Sequence, residues 1–236
     1  MHIYSPYNKL IKRIPKIVGH SFECLHAFNV QCRCDRLEVV KYYRYLGLTV
    51  DHHFVWKLQV NSVCDRLRSV LSQFHHLRYI LSRSTLYVVF YALVESVVSY
   101  GLSSYGRTFP SYLNKIKELQ IRFLKCLTDK TKCKGDYDQL FTACGTLPVH
   151  FKVDLLLALE QFNSNEFKVL VSHCYSTRAI SIDKLKVPST CNEYGKRTRS
   201  YLIPKIYNQI PTNMNRYSIT KACFKKKLTK LLLSRL

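Results

Sequence analysis

Acidic residues are scarce in this sequence. Only 15 Asp and Glu stand against 37 Lys and Arg in 236 residues, a net charge of +22. A compact chain so unbalanced repels itself and calls for an anionic partner. Nucleic acid is the first candidate and an anionic membrane surface the second. Gly and Pro are scarce too, seven of each, which argues against long flexible linkers. No internal repeat or low-complexity tract is visible.

Catalytic signatures are also lacking. There is no phosphate-binding Gly loop, no HExxH and no GxSxG. Asp51, Asp65, Asp129, Asp136, Asp138 and Asp154 form no two-metal cluster. Asp136-Tyr137-Asp138 comes nearest, but it opens a short helix, where the dipole favours acids. His52-His53 and His75-His76 are adjacent pairs whose side chains diverge, so neither reads as a metal site. Cys24, Cys32 and Cys34 lie close, but no second pair with zinc-finger spacing follows. Cys64, Cys126 and Cys223 sit among apolar helical positions. The opening Met1-His2-Ile3-Tyr4-Ser5-Pro6 has no basic stretch followed by an apolar run. The ten cysteines therefore read as reduced thiols of an intracellular protein, nuclear or cytoplasmic and not secreted.

One segment invites a membrane reading. Thr85 to Leu102 is apolar on nearly all sides. Glu95 lies in its middle, and a carboxylate there costs about 2.5–3.5 kcal/mol on insertion scales. A central buried helix of a bundle explains the same pattern, so no membrane is expected.

What is present is ordinary globular material. Apolar residues make up 47% of the chain and charged residues 22%, enough to bury a real core. Residues 1–50 read as extended, with runs at Ile14–Phe22, His26–Cys32 and Leu37–Val50. Their product is a small antiparallel sheet or hairpin that needs a helical partner. Helices then dominate. Between Trp56 and Leu81, Val60, Val63, Leu67, Val70, Leu71, Phe74, Leu77 and Ile80 recur at steps of three and four. Ser82 or Ser84 caps the next helix, Thr85–Tyr100, and Gly101 and Gly106 break the chain.

Pro110-Ser111 starts a third helix, with Tyr112, Leu113, Ile116, Leu119, Phe123 and Leu127 inward and Lys115, Lys117, Arg122 and Lys125 outward. A short helix over Tyr137–Cys144 stops at Gly145, and another covers Phe151–Leu170. Residues 172–203 lack a helical period and read as a loop. A final helix from Ser218 buries Phe224, Leu228, Leu231 and Leu232, with Lys225, Lys226, Lys227 and Lys230 elsewhere. From Ser181 onward there are 13 basic and 2 acidic residues, so the last quarter carries half of the excess charge.

The expected fold class is mainly α with a small N-terminal antiparallel β element (α+β). Residues 1–55 form the β-rich part, 56–128 a three-helix bundle, and 129–236 a basic helical region. The basic outer faces are either ordinary solvated surface or a phosphate-binding face. Many of the 17 Tyr and 12 Phe adjoin a cation, as in Lys41-Tyr42-Tyr43-Arg44-Tyr45, Arg78-Tyr79, Arg199-Ser200-Tyr201 and Arg216-Tyr217. Cations neutralise phosphates and rings pack on sugars or bases. Tyrosines lining the edge of a core with wet hydroxyls give the same pattern.

Tyr45-Leu46-Gly47-Leu48-Thr49-Val50-Asp51, followed by Trp56-Lys57, resembles the YLG-x-x-x-D…W element of reverse transcriptases of non-LTR (LINE-type) retrotransposons. Further likenesses follow in order. Leu77-Arg78 to Leu86 resembles the segment linking the family's first two thumb helices. Tyr91-Ala92-Leu93-Val94 to Ser99-Tyr100-Gly101 resembles the second. Leu119-Gln120-Ile121-Arg122-Phe123-Leu124 is similar to an "LQ…R" helix, and Leu147-Pro148 to a common LP step. Tyr175-Ser176-Thr177-Arg178 resembles YxTR. Pro204-Lys205-Ile206-Tyr207-Asn208-Gln209-Ile210-Pro211 resembles "P-x-I-W-N-x-(I/L)-P", with Tyr207 where Trp is usual. Phe224-Lys225-Lys226-Lys227-Leu228 resembles an "FK-x-x-L" ending.

The resemblance implies a primer grip at Tyr45, Leu46 and Gly47, followed by a helical thumb that holds an RNA or DNA template–primer. The family's catalytic aspartates belong to an upstream (F/Y)xDD hairpin, a motif this sequence lacks. Mg²⁺ would be held by that palm in an intact enzyme, so no cofactor and no catalytic residue is expected in this chain, nor activity from it alone. The expected phosphate contacts are Arg66, Arg68, Lys115, Lys117, Arg122 and Lys125. Tyr45, Leu46 and Gly47 are expected at a strand edge, where Gly47 permits close approach to a primer backbone. The other readings are a standalone nucleic-acid-binding or assembly protein derived from such an element, and an inert remnant.

Overall fold

The computed structural model describes residues 40–128, 137–164, 185–211 and 219–236. The expected runs at Ile14–Phe22 and His26–Cys32, the Cys24/Cys32/Cys34 group and Tyr175–Arg178 lie outside them. The fold is mainly helical with one antiparallel hairpin, as the residue patterns predict. It divides into two compact units, Met1–Leu58 and Gln59–Leu236.

In the first unit, β1 (Tyr42–Tyr45) pairs with β2 (Leu48–Asp51), Tyr45 opposite Leu48 and Tyr42 opposite Asp51. Two residues, Leu46 and Gly47, make the turn, both at positive φ (47° and 76°). A two-residue hairpin demands that conformation, and glycine supplies it freely. Asp51 then ends the hairpin. Its carboxylate accepts from the backbone N–H of Val55 (3.2 Å) and Trp56 (3.0 Å). Those N–H groups stand just ahead of α1 (Lys57–Ile80), so Asp51 organises that helix's start.

The second unit holds most of α1 and the helices after it. Val60, Val63, Cys64, Leu67, Leu71 and Phe74 form the buried stripe of α1. Ser82 caps α2 (Arg83–Val89), accepting from Thr85 N–H at 3.3 Å. The expected single helix is interrupted. A π-helical turn at Phe90–Glu95 follows α2, and α3 (Ser96–Ser99) completes the rod. The reason lies in the spacing of the buried side chains, Leu86, Phe90, Val94 and Val98, each four residues from the last. Four α-helical residues overshoot a full turn by about 40°, so three such steps would swing Val98 off the core. The wider i→i+5 turn takes rotation back.

Gly101 leaves the rod in the left-handed region (φ 66°), and α4 (Leu102–Tyr105) follows. The Tyr105 hydroxyl, fully buried, donates to Val98 O at 2.6 Å. Burial pushes that phenol well above its usual range. α5 (Pro110–Thr128) starts on proline, whose missing N–H costs nothing at a first helical position. Phe123 of α5 meets Phe74 of α1 edge to face at 5.3 Å and Phe90 of the π turn at 6.2 Å. Those three rings tie α1, the rod and α5 into one core.

α6 (Asp138–Cys144) ends at Gly145, φ 64°, whose N–H reaches Phe141 O and Thr142 O. α7 (Val149–Ser164) packs against α4, α5, α9 and α10. Gln120, 1% exposed on α5, settles the polar groups where α7 begins. Its side chain accepts from Val149 N–H at 2.9 Å and donates to Leu147 O at 3.4 Å. Lys152 of α7 forms an ion pair with Glu95 of the π turn, both nearly buried. Burial pulls the Lys152 ammonium down to about 8, and Lys225 pushes the same way.

The expected loop at 172–203 is corrected in its described part. Glu193–Lys196 form α8 and Arg199–Tyr207 form α9. Only Ile203 and Pro204 of α9 are buried, too few to write a period. Asn208 clamps the preceding strand-like segment, its amide exchanging hydrogen bonds with the backbone of Leu185 at 2.8 and 2.9 Å. Finally α10 (Lys221–Leu233), capped by Thr220, packs Phe224, Leu228 and Leu232 against Leu147, Leu155, Ala158 and Leu159. Phe162 stacks on Phe224 at 4.7 Å.

Among the described residues no single helix is long and apolar enough to cross a membrane. The bent pair Asp138–Cys144 and Val149–Phe162, 54° apart, meets that test only jointly, on length and composition.

Candidate nucleic-acid interface

Tyr45, Leu46 and Gly47 occupy the hairpin tip. Only Tyr45 belongs to a strand; Leu46 and Gly47 are the turn itself and not a strand edge. Tyr45 is 63% exposed and Leu46 73%. Tyr42 and Tyr43 are equally open. β1 therefore displays three tyrosines beside Lys41 and Arg44, rings and cations together on short, otherwise polar chain. Gly47 is needed for the turn's positive φ.

The six expected phosphate contacts do not gather into one patch. Two residues apart on a helix means about 200° apart, so Arg66 and Arg68 flank the buried stripe of α1 on opposite sides. Arg68 is bound to Asp65 at 2.6 Å on the surface. Lys115 and Arg122, seven apart, share an edge of α5, with Glu118 between them. Lys117 lies on another flank, 3.6 Å from Asp138. Lys125 sits over the Tyr137 ring at 4.8 Å and Lys115 over Tyr112 at 5.7 Å.

One pair does converge across helices. Burial pushes the Cys64 thiol up; Arg68 and Lys115 pull it down, while Asp65 and Glu118 push it up. Two cations and two acids of α1 and α5 thus act on that thiol in opposite directions.

The cationic face without acids lies elsewhere, on α10. Its thirteen residues carry five lysines and no acid. Lys226, Lys227 and Lys230 project away from the buried Phe224–Leu228–Leu232 stripe and are exposed. These lysines stand plainly in the sequence. Their signal is an apolar i, i+4, i+8 stripe with lysines and no acid on the other sides.

Among the described residues no group of three His, Cys, Asp or Glu is placed to hold a metal ion. Free thiols there are Cys64, Cys126 and Cys144, buried, and Cys191 and Cys223, exposed. Cys223, expected among apolar positions, faces outward on α10. Cys126 lies 3.5 Å from His75 Nδ1, and the Tyr87 hydroxyl 3.5 Å from Cys144. Hydrogen bonding to that thiol, with burial behind it, pushes Tyr87 up to about 12. No family model, curated protein or solved structure matches the chain.

Proposed function

We propose that this chain is a non-catalytic, nucleic-acid-gripping part of a retrotransposon reverse transcriptase, an RNA-directed DNA polymerase of the non-LTR type. The observation that carries the reading is the distribution of charge. A net of +22 rests on a helical frame whose last helix exposes lysines with no acid among them. Phosphates are the abundant polyanion that such a face suits, and counterion release drives the contact. The ordered run of elements resembling the family, from Tyr45-Leu46-Gly47 to Phe224-Lys225-Lys226-Lys227-Leu228, supports the same reading. Two of those elements have clear local tasks: Asp51 holds the turn into α1, and Asn208 holds Leu185. The paired carboxylates that polymerase chemistry needs are not among the motifs of this sequence.

The test is binding of a labelled template–primer by anisotropy at several salt concentrations. The affinity should fall log-linearly with salt. Replacing Lys226, Lys227 and Lys230 together by Gln should lower the slope by roughly two to three, with the fold unchanged by circular dichroism. A slope that the triple variant leaves untouched overturns α10 as the contact face. No binding at low salt overturns the whole reading. With dNTPs and Mg²⁺ added, the chain should extend no primer.

A further inference from the structure

We infer that Arg107, Arg197 and Arg199 form a phosphate-binding site, separate from the α10 lysines, on the surface where the segment before α5 meets the α8–α9 corner. Arg197 is held by its neighbours. Its guanidinium lies 3.9 Å from the Phe109 ring centroid and 4.5 Å from that of Tyr194, and the two rings stand edge to face at 6.5 Å. A planar cation fixed between aromatic faces is pre-organised, so little side-chain entropy is lost when it binds. Arg199, two residues on, reaches Glu160 of α7 at 3.1 Å. Arg107 is two residues before Phe109. Burial pulls its guanidinium down, Glu160 opposes that shift and Arg199 reinforces it, which places all three groups within electrostatic reach.

Among the described residues, two acids face these guanidinium groups. Glu160 is shared between Arg107 and Arg199. Glu193 is bound to Lys196 at 2.6 Å, with Arg197 and Lys205 acting on it more weakly. Donors are left over as well. Arg107 Nε and Arg197 Nε and Nη1 are buried without an acceptor among the described residues. Both residues are half-buried. Unmatched guanidinium donors and neighbouring like charges cost stability. A phosphate group, with one or two negative charges and several acceptor oxygens, eases both penalties at once and matches the guanidinium fork. The same chemistry is offered by a backbone phosphodiester and by a free or terminal phosphate.

The experiment uses the full chain and inorganic pyrophosphate as probe, with thermal unfolding compared against chloride at equal ionic strength. Pyrophosphate should stabilise the unaltered chain. Arg107→Gln and Arg197→Gln should each weaken the apparent affinity roughly tenfold or more, while Lys226→Gln leaves it unchanged. Because Arg197 also holds two rings, Arg107→Gln decides the matter if Arg197→Gln does not fold. Absence of pyrophosphate stabilisation, or an Arg107→Gln chain with the original affinity, overturns the site. Competition by oligothymidylates with a 5′-phosphate or a 5′-hydroxyl then identifies the source. A strong preference for the former assigns a terminal phosphate, and equal competition assigns the backbone; either supports the site. The α10 triple variant should lose oligonucleotide affinity and keep pyrophosphate binding, so this site and the nucleic-acid reading fail separately.

Discussion

Gly106 and Gly145 are glycines for opposite reasons. Gly145 stands at φ 64° in open space, so a methyl group there meets nothing but takes on the strain of a left-handed conformation. Gly145→Ala should cost about 1 kcal/mol. Gly106 has an ordinary φ, but an added Cβ would collide with Leu102 O and with Val153 Cγ2 of α7. Neither neighbour is the loose end of a long side chain. Gly106→Ala should therefore cost about 3 kcal/mol or more. Urea unfolding of the two variants checks the order, and equal losses would contradict it. At this scale the sequence was partly legible. Gly101, Gly106 and Gly145 read correctly as breaks, and of the two candidate caps, Ser82 and Ser84, the structure uses Ser82. That Gly106 is a close approach is visible only once α7 is in place.

At the scale of elements, the Glu95–Lys152 pair joins the π turn to α7. A buried pair adds little net stability, yet removing one partner strands the other charge. Lys152→Met should destabilise by about 3–5 kcal/mol. Combining it with Glu95→Gln should recover most of that, measured as a double-mutant cycle in urea. Additive losses would mean that the two groups do not interact. The helices themselves were legible wherever their stripes run at steps of three and four, as in α1 and α5. The π turn was not, because a four-residue spacing is also acceptable helical spacing. α8 and α9 were missed because short helices with no buried residue, or only two, leave no period. Gln120 was legible as part of a family-like element, but its task depends on Leu147 and Val149, 27 and 29 residues away. Likewise the candidate site was half legible: sequence yields the cations, while which of them Asp65, Glu118 and Asp138 neutralise is a matter of packing.

For the whole molecule, the surplus of 22 positive charges makes pH and salt the natural levers. Asp154 is the informative titrating group. Burial raises its carboxyl from 3.8 to about 6, with Lys205 and Arg235 opposing in part. A carboxyl whose folded pKa lies above its unfolded value holds its proton better when folded. Its contribution therefore improves as pH falls from about 6 towards 4, and it is a penalty at neutral pH. Asp154→Asn should be more stable than the unaltered chain at pH 7, and the gain should shrink between pH 6 and 4. Thermal unfolding across that range checks the sign. A gain that grows with acidity would contradict it.

The rod from Arg83 to Ser99 contains one residue more than its buried stripe requires. Leaving out the exposed Ala92 would set Leu86, Phe90, Val94 and Val98 at successive intervals of four, three and four, the interval pattern of an unbroken α-helix. Chain length can thus drift by one at this place while the same four side chains keep their partners. The same loss in the middle of α5 would rotate half of its core face by about 100°. A one-residue deletion thus has a tolerated address inside a core helix, where such changes are usually ruinous.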